Sequence, residues 1–207
     1  MQVAATFTPS DPATVAGALI WAYQQATGRA PPATSSWLMV LAQSALETGH
    51  WTAMYGYNLG YISQPDKSQP YYYRGTNPVP FAVYPNLGAG ALAMMKLLNG
   101  FYGALTYADN NDLAGYVAQL QAKGYAGSDP QTYVNYQSTM ASLMQQYAGV
   151  VPTPYSPGAG ATIGAPLTTL QAAAVGATVV AAAMLAAYAL LPKTKRPTWP
   201  GLRAGTR

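Results

Sequence analysis

The chain has no cysteine among its 207 residues and only one histidine, His50. The lack of cysteine excludes disulfides, thiolate zinc sites and a cysteine nucleophile. A single histidine excludes a multi-histidine metal site and a second histidine-based relay. We therefore expect no metal site and no cofactor, and we interpret His50 as a supporting or surface residue.

Charge is also scarce, because charged side chains make up 8% of the chain, against about 25% in typical soluble domains. Residues 1–191 contain five basic and six acidic side chains, whereas residues 192–207 contain five basic and none acidic. The formal net charge of +4 is thus a property of the tail. A surface that binds nucleic acid is not predicted on the folded part.

The length of the chain allows one domain of ordinary size and an appendage. The pattern predicts a folded domain over residues 1–148, a linker over 149–166, an apolar helix over 167–191 and a basic tail over 192–207. The linker holds four prolines and four glycines without periodicity. No basic stretch followed by an apolar run opens the chain, so a cleavable secretory signal is not predicted.

The apolar segment 167–191 has 25 residues without a charge, which is roughly 37 Å of helix and enough to cross a bilayer. Lysines and an arginine at 193–196 follow it as a stop-transfer flank. We predict a single transmembrane helix, and small residues such as Gly176 and Ala177 would let two copies associate. Because alanine dominates the segment, a soluble helix packed on a partner remains an alternative.

Five helices are expected in the folded part, with a tyrosine-rich loop and a short hairpin between the second and the third. The helices are predicted from Asp11-Pro12 to Gly28, from Ser35 and Ser36 to Gly49, over roughly 87–105, from Asn110 or Asn111 to Gly124, and from Asp129-Pro130 to Gly149. Residues 50–84 lose helical periodicity and are rich in glycine, proline and tyrosine. The predicted fold class is mainly α with a small β-hairpin lobe.

Glutamate occurs once, at Glu47, near the end of the second predicted helix. Two apolar rows precede it at helical spacing, Trp37, Leu41 and Ala45 in one and Leu38, Ala42 and Leu46 in the other. A carboxylate in the last helical turn faces the negative end of the helix macrodipole, and apolar neighbours also disfavour its charge. Glu47 is therefore a candidate general acid, since a carboxyl group that stays protonated near neutral pH can protonate a glycosidic oxygen.

Three segments of the chain resemble the lysozyme-like peptidoglycan-cleaving domains of the glucosaminidase and lytic transglycosylase type, especially those encoded by phages. They are Leu41-Ala42-Gln43-Ser44-Ala45-Leu46-Glu47-Thr48-Gly49, Tyr57-Asn58-Leu59-Gly60-Tyr61-Ile62 and Phe81-Ala82-Val83-Tyr84-Pro85. Gly124-Tyr125, followed by the helix at Asp129-Pro130, agrees with the same pattern. The resemblance covers about residues 12–148. It implies a lysozyme-like α+β fold, with Glu47 as catalytic acid and Asn58 to Gly60 lining the floor of a sugar cleft.

Tyrosines supply flat apolar faces for sugar rings, so several in the 50–84 region are candidate subsite walls. They are Tyr57, Tyr72, Tyr73 and Tyr84, and the competing interpretation is that most of them pack the hairpin. Gln43 lies one helical turn before Glu47 and is predicted to orient the carboxyl group or to contact sugar, with a purely structural role as an equal alternative. Asp66 is the candidate second carboxylate, although a solvent-exposed role is favoured for it.

The function predicted from these residues is cleavage of the β-1,4-glycosidic bonds of peptidoglycan. A hydrolase of the two-carboxylate kind needs a partner for Glu47. A lytic transglycosylase uses one residue first as acid and then as base, so this mechanism is favoured. The expected setting is a virion-associated enzyme that opens the cell wall during phage entry. It would be anchored in a virion membrane or in the host inner membrane, with its catalytic domain facing the periplasm.

Two alternatives of another class remain open. The chain could be a non-catalytic, membrane-anchored virion protein that binds glycan or serves as a scaffold. It could also be a pore-forming lysis protein built around residues 167–191, which the large preceding domain disfavours.

Overall fold

The computed structural model describes residues 1–63, 69–74, 77–125 and 130–157. Within these ranges the helices are α1 (Pro12–Thr27), α2 (Ser35–Thr48), α3 (Leu87–Asn99), α4 (Leu105–Asp109), α5 (Leu113–Ala122) and α6 (Pro130–Tyr147). The strands are β1 (Tyr71–Tyr73) and β2 (Pro80–Ala82). A mainly helical fold with a small hairpin, as predicted from the sequence, is confirmed.

Several sequence predictions fall outside the described residues. These are the second carboxylate at Asp66, the end of the linker, the apolar segment 167–191 and the basic tail. In the part of the chain that the structure covers, no helix combines the length and the apolar character needed to cross a bilayer.

Local side-chain caps start three of the helices where the sequence supplies them. The Asp11 carboxylate accepts a hydrogen bond from the Thr14 backbone N–H over 2.9 Å, directly before α1. Asn86 and Asp112 act in the same way before α3 and α5. Each side chain satisfies a backbone donor that the first helical turn leaves without a partner. Gly28 ends α1 in the left-handed conformation with a φ of 73°.

The observed helix boundaries correct the prediction in the middle of the chain. The segment expected to be helical over 87–105 ends at Asn99, and a separate short helix, α4, follows it. The next helix begins at Leu113 rather than at Asn110 or Asn111, because Asp112 provides its cap. A continuous apolar pattern hid the break, which lies at Gly100 and Gly103.

Helix α2 is the central element of the fold, packed against α1, α4 and α6. All of its residues except Leu46 are buried, including the polar side chains of Ser36, Gln43, Ser44 and Thr48. The two apolar rows predicted from the sequence are therefore only part of the buried surface. A helix that is buried on all sides must find internal hydrogen-bond partners for every polar group that it carries.

The hairpin pairs β1 with β2 in antiparallel register, with Tyr72 opposite Phe81. The N-terminal residues add to its edge, since the Val3 N–H donates to the Tyr71 carbonyl over 2.9 Å. Tyr61, Tyr72 and Phe81 form a small aromatic core of their own beneath the hairpin. This lobe lies next to the segment that leaves α2 at Gly49.

Residues 150–157 pack on the domain, so the first part of the predicted linker is not a free segment. The Thr153 N–H donates to the Ala13 carbonyl over 3.0 Å, and the Tyr155 hydroxyl accepts a hydrogen bond from the Gly88 N–H over 2.8 Å. The Tyr155 ring also lies 5.8 Å from the Trp21 ring. The lack of hydrophobic periodicity predicted irregular backbone in this segment. Periodicity does not show whether an irregular segment packs against the folded domain.

Glycine allows α3 to approach the loop that follows Glu47. A Cβ atom at Gly90 would lie 1.9 Å from the Tyr57 carbonyl oxygen. A backbone oxygen held by neighbouring residues has little room to give way. Gly90 is thus required for the close contact between α3 and the loop.

We predict that Gly90→Ala destabilises the protein by about 3 kcal/mol, the upper end of the usual cost of overpacking. The sign of this change in unfolding free energy is informative, because alanine in place of a helical glycine normally stabilises a protein by about 1 kcal/mol. Urea unfolding of the full-length protein measures the change. Gly149→Ala is the control, since a Cβ there meets nothing within 4 Å. A Gly90→Ala protein as stable as the parent would contradict the contact.

Candidate active site

Glu47 is the second-last residue of α2, and its side chain is buried with 4% of its surface exposed. Its Oε1 atom accepts a hydrogen bond from the Tyr136 hydroxyl on α6 over 3.1 Å. Its Oε2 atom is buried and has no hydrogen-bond partner in the described part of the chain. The predicted position of Glu47 at the end of a helix is confirmed. The two carboxyl oxygens differ, because Oε1 accepts a hydrogen bond and Oε2 does not.

Burial raises the pKa of Glu47 from its ordinary value of 4.5 to about 8. The hydroxyls of Tyr136 and Tyr125 work in the opposite direction and lower the pKa, because they can donate to the charged form. No cation among the described residues offsets the cost of removing the carboxylate from water. The carboxyl group is therefore largely protonated near neutral pH, which is the state required of a proton donor.

Five buried tyrosines interact electrostatically with Glu47, Tyr61 of the hairpin lobe and four from the helical part, and we call these four the tyrosine cage. They are Tyr102 after α3, Tyr116 on α5, Tyr125 after α5 and Tyr136 on α6. Burial and the nearby Glu47 carboxylate raise the pKa of each. These phenols consequently remain protonated and able to donate hydrogen bonds. The cage replaces bulk water around the carboxyl group by fixed dipoles.

Gln43 is fully buried one turn before Glu47. Its Oε1 atom accepts a hydrogen bond from the Tyr116 hydroxyl. Its Nε2 atom makes no hydrogen bond of good geometry with any described residue, although Gln43 lies close enough to Tyr125 to lower the pKa of that phenol. The structure thus places Gln43 in the same polar cluster as Glu47. Its predicted contact with sugar stays a prediction.

Asn58 is fully buried and its side chain is used entirely by the backbone around it. Its Nδ2 atom donates to the carbonyls of Ile62 and Ala82 over 2.9 and 3.0 Å, and its Oδ1 atom accepts from the Ile62 N–H over 2.7 Å. These bonds join the loop after α2 to strand β2. The observed role of Asn58 is structural, because both of its donors are used by backbone carbonyls and the side chain is fully buried.

The four candidate tyrosine walls divide into two pairs. Tyr72 and Tyr84 are 1% and 7% exposed, so they pack the interior as the competing interpretation held. Tyr57 and Tyr73 keep part of their surface exposed. Only the second pair offers ring surface to a sugar in this structure.

No second carboxylate acts on Glu47 among the described residues. Asp11 and Asp112 cap helices, and Asp109 binds both the Arg29 guanidinium over 2.6 Å and the Tyr23 hydroxyl. Asp66, the predicted candidate, lies outside the described residues. His50 is exposed and its Nδ1 shares a hydrogen bond with the Tyr147 hydroxyl, which agrees with the surface role expected for it.

The loop after Glu47 holds four bulky residues in the left-handed backbone region. His50, Trp51, Tyr57 and Tyr61 have φ values of 55°, 60°, 52° and 46°. Such conformations cost of order 1–3 kcal/mol each in residues with a Cβ, and they cluster at functional sites. The bonds made by Asn58, and the one from the Tyr61 hydroxyl to the Ala53 carbonyl over 2.8 Å, hold this loop in place.

Sequence reasoning missed most of the tyrosine cage. Tyr136 belongs to a helical stripe that predicts core packing, and Tyr102 and Tyr116 stand in apolar segments without a motif. Only Tyr125, in the Gly124-Tyr125 pair, was part of the pattern that the chain shares with peptidoglycan-cleaving domains. Because the cage is drawn from three separate segments, only the packing of α6 on α2 and of α5 on α6 reveals it.

Comparison with known proteins gives no match, whether to protein-family models, to curated proteins or to solved structures. Function is therefore inferred from the residues and geometry of this chain.

We predict that Glu47 titrates with a midpoint near pH 8. Because it is the only glutamate, selective 13C labelling of glutamate side-chain carboxyls gives one NMR signal, and this signal reports the pKa directly. A midpoint near 4.5 would show that the side chain is solvated.

The same proton makes stability depend on pH. Between about pH 4.5 and 8 the folded state keeps a proton that the unfolded state has lost, so the free energy of unfolding falls as pH rises. The expected slope is about 1.4 kcal/mol per pH unit for one proton. Glu47→Gln should remove this contribution, which urea unfolding at several pH values measures.

We also predict that Tyr136→Phe moves the Glu47 midpoint upward. The lost hydroxyl is a donor to Oε1 that favours the charged form. Tyr133→Phe is the matched control on the same helix, because the Tyr133 hydroxyl faces the Ala114 carbonyl instead. The same 13C signal measures both variants, and an unchanged midpoint in Tyr136→Phe would exclude this hydrogen bond.

Proposed function

We propose that the protein cleaves the β-1,4-glycosidic bonds of peptidoglycan as a lytic transglycosylase, with Glu47 as general acid and base. The observation that carries the proposal is the state of this one carboxyl group. It is the only glutamate, it is buried with a pKa raised to about 8, and its Oε2 atom has no hydrogen-bond partner among the residues that the structure describes. A protonated acid with one uncommitted oxygen is suited to protonate a glycosidic oxygen.

A mechanism with a single acid fits the rest of the cluster. After the proton leaves Oε2, the carboxylate can take a proton from the 6-hydroxyl of the same sugar, whose oxygen then closes on the anomeric carbon. Two-carboxylate hydrolysis needs a second acidic group about 5 Å away or a more distant base. Among the described residues, the carboxylates other than Glu47 are engaged as caps or with Arg29.

The surroundings of Glu47 support charge development during the reaction. Tyr136 can strengthen its hydrogen bond to Oε1 as the carboxylate forms, so the donor is already aligned before the proton moves. The strained loop that follows α2 carries Tyr57, which is partly exposed and follows the acid by ten residues. Strain of this kind is consistent with a site maintained for function rather than for stability.

The wider setting proposed for this activity comes from the sequence. Similarity of the three motif segments to lysozyme-like phage domains supports murein as the substrate. The uncharged segment 167–191 and the basic tail support a single-pass anchor, either in a virion membrane or in the host inner membrane with the domain on the periplasmic side.

One observation favours a second function, that of a non-catalytic glycan-binding or scaffold protein in a virion. Glu47 is only 4% exposed, and Gln43 and Asn58 are fully buried, so a polysaccharide must gain access to the acid before any reaction. Turnover distinguishes this function from the first.

We predict that the full-length protein releases muropeptides with 1,6-anhydro ends from purified murein, and that Glu47→Gln lowers the rate by at least about 100-fold, because the amide cannot donate the proton. Mass spectrometry of the released fragments gives both the rate and the type of end. Glutamine has nearly the shape of glutamic acid, so the fold should be kept, and thermal unfolding checks this.

Three other outcomes separate the alternatives. Equal release by Glu47→Gln would reject the assigned acid. Reducing ends in place of anhydro ends would identify a hydrolase. Binding of murein without release by the unmutated protein would establish the non-catalytic function.

A further inference from the structure

Helix α6 covers Glu47 and is attached to the core along one face. The helix packs against α2 and α5, and residues 130–147 carry no charged side chain. Its buried side chains form a single stripe at helical spacing, Tyr136, Met140, Leu143 and Tyr147. A helix held by one stripe separates from its neighbours at a lower cost than a helix that is enclosed on all sides, such as α2.

The structure shows the acid in a closed state. Glu47 is only 4% exposed, and the Tyr136 hydroxyl of α6 lies 3.1 Å from its Oε1 atom. A polysaccharide therefore reaches the carboxyl group only after part of its enclosure has moved. Local opening of one element, with the rest of the fold intact, is the ordinary way in which proteins admit ligands to such sites.

Residues 150–157, which we call the strap, follow α6 and lie across α1 and α3. The Thr153 N–H donates to the Ala13 carbonyl over 3.0 Å. The Tyr155 hydroxyl accepts a hydrogen bond from the Gly88 N–H over 2.8 Å, and the Tyr155 ring lies 5.8 Å from the Trp21 ring. The strap therefore connects the end of α6 to the first turns of two other helices.

Two glycines form the seat of the strap. A Cβ atom at Gly17 of α1 would lie 1.7 Å from the Thr153 carbonyl oxygen, and one at Gly88 of α3 would lie 2.6 Å from the Tyr155 ring. Alanine is preferred over glycine within helices by about 1 kcal/mol. Both helices thus have the smallest residue where the strap contacts them, which indicates a fitted contact.

The link between α6 and the strap is too short for the two to move independently. Only Ala148 and Gly149 separate them, and the Val150 N–H donates to the Tyr147 carbonyl over 3.0 Å. Three steps between Cα atoms reach at most roughly 11 Å when fully extended. Moving a helix off its neighbour takes about its own diameter of 10 Å. Displacement of α6 from α2 therefore pulls the strap out of its seat.

We propose that the strap holds α6 closed over Glu47, and that release of the strap opens the acid to a polysaccharide. The need for opening rests on the function proposed above, whereas the restraint on α6 is a property of the fold. The apolar segment predicted at 167–191 follows the strap in the sequence, so a pull from that segment reaches the strap before it reaches α6. The proposed anchoring and access to the acid are thereby coupled.

The test measures the opening of α6 without a substrate. Because the chain has no cysteine, one introduced thiol reports the exposure of one position. Met140→Cys places the thiol on the buried face of α6, and Met95→Cys places it in α3; both native side chains are 0% exposed. Labelling of the full-length protein with dithiobis(nitrobenzoate) then compares opening of α6 with opening of the whole domain.

Two independent changes release the strap. Gly17→Ala combined with Gly88→Ala removes the space for it, although alanine favours both helices. Tyr155→Ala instead removes the ring and the hydroxyl from the strap itself. Each is expected to raise the labelling rate of Met140→Cys by about tenfold, which corresponds to about 1.4 kcal/mol, and to leave the rate of Met95→Cys unchanged.

Gly149→Ala is the matched control, because this glycine lies between α6 and the strap and a Cβ there meets nothing within 4 Å. The proposal is overturned if both strap changes leave labelling at position 140 at the parental rate, if position 95 becomes reactive to the same degree, or if Gly149→Ala has an equal effect. Hydrogen exchange in the cysteine-free proteins repeats the comparison, with faster exchange in α6 and unchanged exchange in α2 expected.

Release of fragments from purified murein separates this proposal from the function on which it rests. The strap variants are expected to release muropeptides faster than the parent protein. If they label faster but cleave murein at the parental rate, the strap does not control access and the proposal is overturned. If neither the parent nor the variants release fragments, the proposed cleavage is wrong, and labelling alone decides whether the strap holds α6.

Discussion

The structure depends on the burial of one carboxyl group at the end of a fully enclosed helix, without a counter-ion. A carboxylate in that position is expensive, and a neutral carboxylic acid is much less so. The fold accommodates Glu47 by surrounding it with tyrosine hydroxyls instead of a lysine or an arginine. An arginine partner would have lowered the pKa and favoured the charged carboxylate.

The enclosure of α2 follows from the low charge of the chain. With few charged side chains to keep in water, α2 can be covered by α1, α4 and α6 on all sides. The polar residues that it carries are then satisfied internally, as Ser44 is by Trp51. Among the described residues, Ser35 Oγ, Gln43 Nε2 and Glu47 Oε2 are the exceptions on this helix.

The loop after Glu47 is held in place by contacts with the hairpin and with α3. Asn58 forms a hydrogen bond that joins this loop to the hairpin, and Gly90 allows α3 to contact the loop closely. Four bulky residues of the loop have left-handed backbone conformations. Its strain must be offset by the surrounding packing. Asn58 therefore contributes to the site by holding backbone, although the resemblance to peptidoglycan-cleaving domains implied that it lines the cleft.

The sequence by itself determined the features that depend on neighbouring residues, such as where helices begin and end. Asp11 set the start of α1, Gly28 and Gly49 set helix ends, and a lone glutamate before Gly49 predicted an acid in the last turn of a helix. The caps Asn86 and Asp112 are equally local, although the prediction placed the start of α5 at Asn110 or Asn111. Only the tertiary structure decided which tyrosines surround that acid, that Tyr72 and Tyr84 turn inward, and that residues 150–157 remain packed on α1 and α3. The physical reason is that caps and turns depend on a few neighbouring residues, whereas burial and the pKa shift that it causes depend on segments far apart in the chain.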